Sequence, residues 1–495
     1  MSVREPEVSI ESGRVRGTTD DGVTVFRGVP YARPPVGESR FAAPAPAVAW
    51  DGVREATAFG PAAPQSGFGG MPPPDSEGDE WLTLNVWTPD VAGGGLPVFV
   101  WVHGGAYRGG TASQPAYDGR VLAQHGMVVV TCNYRLGVEG FAQIQGAPAN
   151  RGLLDVVAVL RWVAGNIESF GGDPQRVTVA GESAGAGIVA ALLAMPMARG
   201  LFQQAVAQSL PGTFFSAELA ADVAVHIAAE AGAEKPTRES FAAFTPIRLS
   251  AAADAVSQRM RSVARWGQLA FGDTPFSPVV DGEVLPRTPW RAALDGEARD
   301  IRLLTGHNRD EYRLMMAMSG TLGRVTEEEA TALLEAFTPS PPKYRFAYAS
   351  LSPAELYERS FSDWLFRMPV LHLAQAHAVG GGTTYLYELT CAAPAAPQLG
   401  ACHALDLPLV FGAEGERINE MLVGSSPPEW FTSLGEHVRS EWTAFVRSGA
   451  PGWQPYTAAL RTTRVYDVAV TAESYPEETS MHLWERYVFG ALPLL

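Results

Sequence analysis

The chain has 495 residues, more than a single domain usually holds, with 46% hydrophobic and 18% charged residues. That composition carries ample core material and excludes general disorder. Its 37 Lys and Arg against 53 Asp and Glu give a formal net charge of −16, which speaks against nucleic acid or an acidic membrane surface as partner, since both demand a basic face.

Residues Met1 to Ile10 alternate charged and apolar character and contain no secretory-signal core. No apolar run approaches the ~18–20 residues of a membrane span. Cys132, Cys391 and Cys402 are too few and too scattered for a disulfide framework or a zinc site, although Cys391 and Cys402 could pair. A cytoplasmic location follows as the expectation. Gly60 to Gly78, rich in Pro, Gly and Ala, reads as a loop, and so does Pro394 to Gly400.

Short apolar runs bounded by turn residues predict buried strands at Leu96–Val102, Met127–Cys132, Val177–Ala180, Gln204–Gln208, Ile301–Thr305 and Thr384–Leu389. Helical spacing of Leu153, Val156, Val157, Leu160, Val163, Ala164 and Ile167 predicts a helix over 153–170, ended by Gly171-Gly172. Another runs from Ala184 to Pro196. Fully apolar strands alternating with amphipathic helices imply an α/β fold, a mostly parallel sheet covered on both faces. The whole of 1–495 reads as one domain. Its Ala-rich helical insertions, about 215–270 and 320–380, are expected above the strand ends as pocket walls.

The most informative stretch is Val177-Thr-Val-Ala-Gly181-Glu-Ser183-Ala-Gly185, a β-branched strand, then Gly-x-Ser-x-Gly, then a helix. In that context the serine sits on a tight turn that pushes its hydroxyl into a cleft, and glycines two residues either side permit the close approach. Ser183 is therefore the candidate nucleophile, and the amide of Ala184 faces the reacting carbonyl oxygen. Leu96–Val102 runs straight into His103-Gly104-Gly105-Ala106. Acyl transfer builds charge on an oxygen, and preorganised amides aimed there lower the barrier by about 3–4 kcal/mol each. His103 reads as a local structural residue, lying beside the donors rather than after the acid.

These motifs resemble the type-B carboxylesterase and cholinesterase-like family. Phe26-Arg-Gly-Val-Pro-Tyr-Ala-Arg-Pro-Pro, Leu82-Thr-Leu-Asn-Val-Trp-Thr-Pro, His103-Gly-Gly-Ala, Asn133-Tyr-Arg-Leu-Gly, Asn150 to Asp155, Asn166 to Pro174 and Gly181-Glu-Ser-Ala-Gly-Ala follow in family order. The resemblance implies the α/β-hydrolase fold, a carboxylesterase activity and oxyanion donors at the amides of Gly105, Ala106 and Ala184.

The order in such hydrolases is Ser, then Asp or Glu, then His. His403, in Leu399-Gly-Ala-Cys-His-Ala-Leu-Asp-Leu-Pro, resembles the family's histidine motif, with Ala404 and Asp406 where the family has a glycine and an acid. The acid should follow a strand, and Ile301–Thr305 leads into Gly306-His-Asn-Arg-Asp310-Glu311. Chemistry alone leaves Asp310 and Glu311 equivalent; the resemblance places the acid on Glu311. Tyr312 replaces the glycine expected next, Trp81 stands at a family cysteine, and Leu210 follows Gln208-Ser209 where glycine is usual.

The reaction so implied is two-step acyl transfer through an acyl-enzyme on a small-molecule ester, with no metal or organic cofactor. Tyr107, Phe276, Phe361 and Trp364 are candidate pocket lining, or core packing. The absence of an anionic cluster favours neutral, moderately apolar esters. An amide or carbamate hydrolase with the same triad, and a non-catalytic binding relative, are the competing readings.

Overall fold

A computed structural model describes residues 5–67, 73–74, 77–272, 274–412 and 417–495. The Met1–Ile10 and Gly60–Gly78 expectations thus fall partly outside the described residues. An eleven-stranded sheet forms the centre. Its strands, in chain order, are β1 (Thr18–Asp20), β2 (Val23–Pro30), β3 (Thr83–Thr88), β4 (Leu96–Val102), β5 (Val128–Cys132), β6 (Gly172–Glu182), β7 (Gln204–Gln208), β8 (Arg302–Asn308), β9 (Thr384–Leu389), β10 (Thr462–Tyr466) and β11 (Thr471–Ser474). Their spatial order is β11-β10-β9-β8-β7-β6-β4-β5-β3-β2-β1. Pairing is parallel from β5 through β4, β6, β7, β8 and β9 to β10, and antiparallel at both edges. Glu7–Ile10, Gly13–Arg16 and Val53–Glu55 make a small separate sheet.

The central strands are apolar on both faces because both are covered. Along β4, Val98, Val100 and Val102 join one core while Phe99 and Trp101 join the other. Helix α1 (Arg151–Asn166) packs into the first through Leu153, Val156, Val157, Leu160 and Val163. It continues as a 3₁₀ turn to Phe170 and stops at Gly171, whose φ of 83° suits glycine. Helix α2 (Ala184–Ala194) is buried along its whole length. On the opposite face lies a long amphipathic helix (Glu429–Ser448), which contributes Phe431, Leu434, Val438, Trp442 and Phe445 to the second core. The segments 217–259 and 313–379 are largely helical.

Register decides where the chemistry can sit. Val102 pairs with Gly181, Glu182 with Gln208, Gln208 with Gly306, and Asn308 with Leu389. The carboxyl ends of β4, β6, β7, β8 and β9 therefore align at one rim, where ligands bind in open α/β sheets. The loops from 103, 183, 209, 309 and 390 all leave from it.

Buried charge fixes the scaffold beneath. Arg135 donates to both oxygens of Asp155, from its backbone N–H and Nε to Oδ2 (2.9 and 2.8 Å) and from its terminal nitrogen to Oδ1 (2.7 Å), with both side chains buried. Arg151 spends its guanidinium on the carbonyls of Glu139, Pro148, Val138 and Ala142, and burial pushes its pKa down to about 9. The Asn133–Gly137 and Asn150–Asp155 motifs thus supply structure.

Candidate active site

Ser183 has φ 56° and ψ −124°, a conformation that costs a non-glycine residue on the order of 1–3 kcal/mol. It persists because both neighbours of the turn are pinned: the Ser183 N–H donates to Gln208 O at 2.9 Å, and Gly187 N–H donates to Ser183 O at 3.0 Å. The flanking glycines are obligatory. A Cβ on Gly181 would sit 2.6 Å from the Gly185 carbonyl carbon, and one on Gly185 would sit 2.1 Å from Val102 O.

The loop after β4 lies against this turn, since a Cβ on Gly104 would meet Ser183 Cβ at 3.2 Å. Gly105, Ala106 and Tyr107 have φ of 117°, 53° and 60°. The Gly105 carbonyl accepts from the N–H groups of Arg108 and Gly109, and the Ala106 carbonyl from Thr274 Oγ1. Both carbonyls are thereby turned to partners. Among the described residues no acceptor takes the N–H of Gly105, Ala106 or Ala184. His103 is structural in its contacts: its Nδ1 lies 2.8 Å from Gly104 O, its ring stacks on Tyr134 at 4.5 Å, and Tyr134 OH donates to His103 O. Burial lowers its pKa to about 4.

His403 Nδ1 and Glu311 Oε2 are 2.6 Å apart. The other Glu311 oxygen accepts from Asn308 N–H (2.8 Å) and Ser209 Oγ (2.6 Å). Asp310 is spent elsewhere, accepting the Ala401 N–H at 2.9 Å and pairing with Arg313. Its own N–H donates to Ala401 O, while Asn308 Nδ2 donates to Cys402 O. The two loops are laced together, with Glu311 rather than Asp310 against His403.

Glu182 was not singled out by the sequence pattern, although it is the first x of Gly-x-Ser-x-Gly. Its Oε1 lies 3.0 Å from His403 Nε2, a charge pair when both groups are ionised, and takes part in no hydrogen bond. No hydrogen bond joins His403 to Ser183 among the described residues. Burial pushes the Glu182 carboxyl up to about 8, against the opposing pull of His403. Burial alone would lower His403, but Glu182 and Glu311 outweigh it and hold the imidazole at about 9. The group is a coupled cluster whose protons are shared.

Ala404 has φ 65°, a left-handed conformation that glycine adopts more readily. Tyr312 has φ −80° and tolerates a side chain; its ring stacks on Phe361 at 3.6 Å. Asp406 accepts from Gln208 Nε2 and Tyr387 OH. Trp81 and Leu210 are buried. The three cysteines are buried and free.

The four candidate lining residues are all buried. Tyr107 packs on Phe141 and against Gly187 of α2, and Phe276 lies near Gly137. Phe361 and Trp364 join Phe337 in an aromatic cluster that reaches Tyr312, next to Glu311. Two further residues touch the cluster at the rim: Ser209, and Phe366, whose ring centroid is 4.5 Å from that of His403. Nothing local in the sequence marks Phe366, and the Gln208-Ser209 pair carries no sign of the contact with Glu311.

The strained serine turn, the laced loops and the sheet order define an α/β hydrolase with a serine at its rim, and residues 4–484 match the carboxylesterase family model. The chain belongs to the carboxylesterase family and is a carboxylic-ester hydrolase. It is 35% identical over 487 residues to para-nitrobenzyl esterase of Bacillus subtilis (strain 168), covering 95% of this chain and 96% of that one. It is 32% identical over 474 residues to phenmedipham hydrolase of Pseudarthrobacter oxydans, covering 91% of each. Among solved structures, the Geobacillus stearothermophilus carboxylesterase EST55 superimposes with a TM-score of 0.85 at 34% identity, over 97% of this chain and 99% of that one. No helix among the described residues is long and apolar enough to cross a membrane.

Proposed function

We propose that the enzyme hydrolyses neutral, moderately apolar esters through an acyl-enzyme on Ser183, with His403 as base and Glu311 as the acid behind it. One observation carries the reading: the 2.6 Å contact of His403 with Glu311 sits at the same sheet rim as the strained Ser183 turn.

When substrate enters, His403 Nε2 swings from Glu182 to the Ser183 hydroxyl, a tightening common in resting sites. Ser183 Oγ then bonds to the ester carbon as its proton passes to Nε2. The carbonyl oxygen, now negative, accepts from the amides of Gly105, Ala106 and Ala184, which have no other acceptor among the described residues. Collapse breaks the bond to the alcohol, which leaves with the proton from Nε2. Water repeats the sequence and frees the acid.

The rim acids Glu182, Glu311 and Asp406 are engaged by His403, Gln208 and Tyr387 and leave no free anionic cluster for a cationic alcohol, which keeps neutral esters as the favoured class. The chain works as one domain, with the helical segments about 215–270 and 320–380 walling the pocket. Three free thiols fit a reducing compartment such as the cytoplasm.

The test is a chain-length series of nitrophenyl esters on wild type and Ser183→Ala, with anilides and carbamates alongside. Loss of turnover in the variant is expected; retained turnover rejects the mechanism. Matched rates on anilides and esters would move the assignment to amide or carbamate hydrolysis with the same residues.

A further inference from the structure

We propose that Phe366 is a positioning residue for His403, offering the face of its ring to the imidazole as that ring accepts the serine proton. The inference rests on the esterase reading above and concerns the same site.

His403 has Glu311 at Nδ1 and Glu182 near Nε2. One contact at each ring nitrogen does not stop the ring tilting about the line that joins them. Tilt is resisted only from a face. Phe366 supplies that contact, with centroids 4.5 Å apart and planes inclined by 31°. A phenyl face carries negative potential and attracts a cation more than a neutral ring. The contact therefore strengthens when His403 becomes imidazolium, which is the state formed as Ser183 attacks.

The backbone around Phe366 is built to hold it there. Residues Asp363–Arg367 form a π turn between two helices, here α3 (Pro353–Ser362) and α4 (Met368–Val379), with Met368 N–H bonded to Asp363 O. Such turns are rare and recur at functional sites. Leu365 O accepts from Gly212 N–H at 2.7 Å, tying the turn to the segment after β7. Buried Arg367 pairs with Asp363 (3.2 Å) and Glu477 (2.7 Å). It also donates to the carbonyl of Arg309, in the loop that carries Glu311. Tyr344 OH and Ser480 Oγ both donate to Asp363 Oδ2. Phe366 thus sits between two anchored neighbours, one linked to the acid's own loop.

The charged groups facing His403 are Glu182 from β6, Glu311 from the loop after β8 and Asp406 from its own segment. A change at Phe366 alters none of them, so its effect can be separated from theirs. Three variants decide the matter: Phe366→Leu, Phe366→Tyr, and pentafluorophenylalanine at 366, which keeps the shape and reverses the potential of the face. Each is assayed with nitrophenyl butyrate from pH 5.5 to 10. His403 is titrated by NMR in parallel, its resonance assigned with His403→Gln.

Phe366→Leu and the fluorinated variant are expected to lower kcat about tenfold with KM changed less than about twofold, and to move the His403 midpoint down by roughly half to one pH unit. Phe366→Tyr should stay near wild type. An unchanged midpoint in both the leucine and fluorinated variants overturns the proposal, as does a tyrosine variant as impaired as leucine. Should leucine fail to fold, the fluorinated ring carries the same comparison. A wild type that turns over no ester would sink the esterase reading, while the NMR titration would still decide the role of Phe366.

Discussion

Glu182 Oε1 lies 3.0 Å from His403 Nε2, on the side of the imidazole away from Glu311. The residue just before Ser183 thus places a second carboxyl group against His403. A histidine acts as base only when neutral, and here Glu311, joined by Glu182 once that carboxyl ionises at about 8, holds it protonated up to about 9. The sign follows directly: kcat/KM should climb with pH and level off near 9, because that ratio reports groups of the free enzyme. Glu182→Gln removes one charge, and the acid limb should move down by about one pH unit or more. A limb that stays in place would show that Glu182 does not govern the base. Stability runs the opposite way. A folded pKa raised above the ordinary 6.5 favours the fold below that value, and this contribution is lost as pH rises through about 9.

Ser209 Oγ donates to the Glu311 oxygen that His403 does not use. Hydrogen bonds to a buried charged group contribute about 1.5–3 kcal/mol. Ser209→Ala should lower kcat roughly tenfold through misorientation of the carboxylate, with KM little changed. Glu311→Gln should cost far more, on the order of 10⁴ in kcat, because it reverses the tautomer preference of His403. Steady-state kinetics on one nitrophenyl ester measure both. Equal losses in the two variants would mean that Ser209 does more than orient the acid.

How much of this could be read from the residues depends on how local each signal is. β4, β7 and β9 follow apolar runs whose ends match Leu96–Val102, Gln204–Gln208 and Thr384–Leu389. The Ser183 turn is legible for the same reason, since strand, glycines and helix are contiguous. Asp310 and Glu311 are adjacent carboxylates, and only the lacing to residues 401–403 tells them apart. Tyr312 looked anomalous at a glycine position, yet its φ is negative and no glycine is required there. Phe366 is invisible because its partner lies 37 residues away, and the Gln208-Ser209 pair gives no sign of the acid 102 residues on that Ser209 meets. Those contacts are made by tertiary packing alone.

Ala404, directly after His403, has φ 65°. An L-residue in that region bears a steric cost of about 1–2 kcal/mol that glycine avoids, offset in part by glycine's greater freedom in the unfolded chain. Ala404→Gly should therefore raise stability by up to about 1 kcal/mol, read as a shift of the urea midpoint at unchanged slope. The backbone conformation is already one that glycine favours, so the His403 position and kcat should hardly change. A loss of stability would show that the alanine methyl contributes packing that outweighs the strain.

The Arg135–Asp155 pair lies beneath the rim and touches no reacting group. With side chains 1% and 0% exposed, neither charge has access to water once its partner is gone. Asp155→Asn keeps the shape but leaves a buried guanidinium uncompensated, and breaking such a pair costs about 3–5 kcal/mol. The midpoint of thermal unfolding should drop sharply. Enzyme that remains folded at low temperature should keep its KM and the pH dependence set by His403, since the damage is to the scaffold. Replacing both partners together, as Arg135→Met with Asp155→Leu, should recover part of the loss, because the desolvation of two charges is then avoided. A double variant as unstable as the single one would mean that the backbone hydrogen bond from Arg135 N–H to Asp155, rather than the charge pair, holds this corner of the fold.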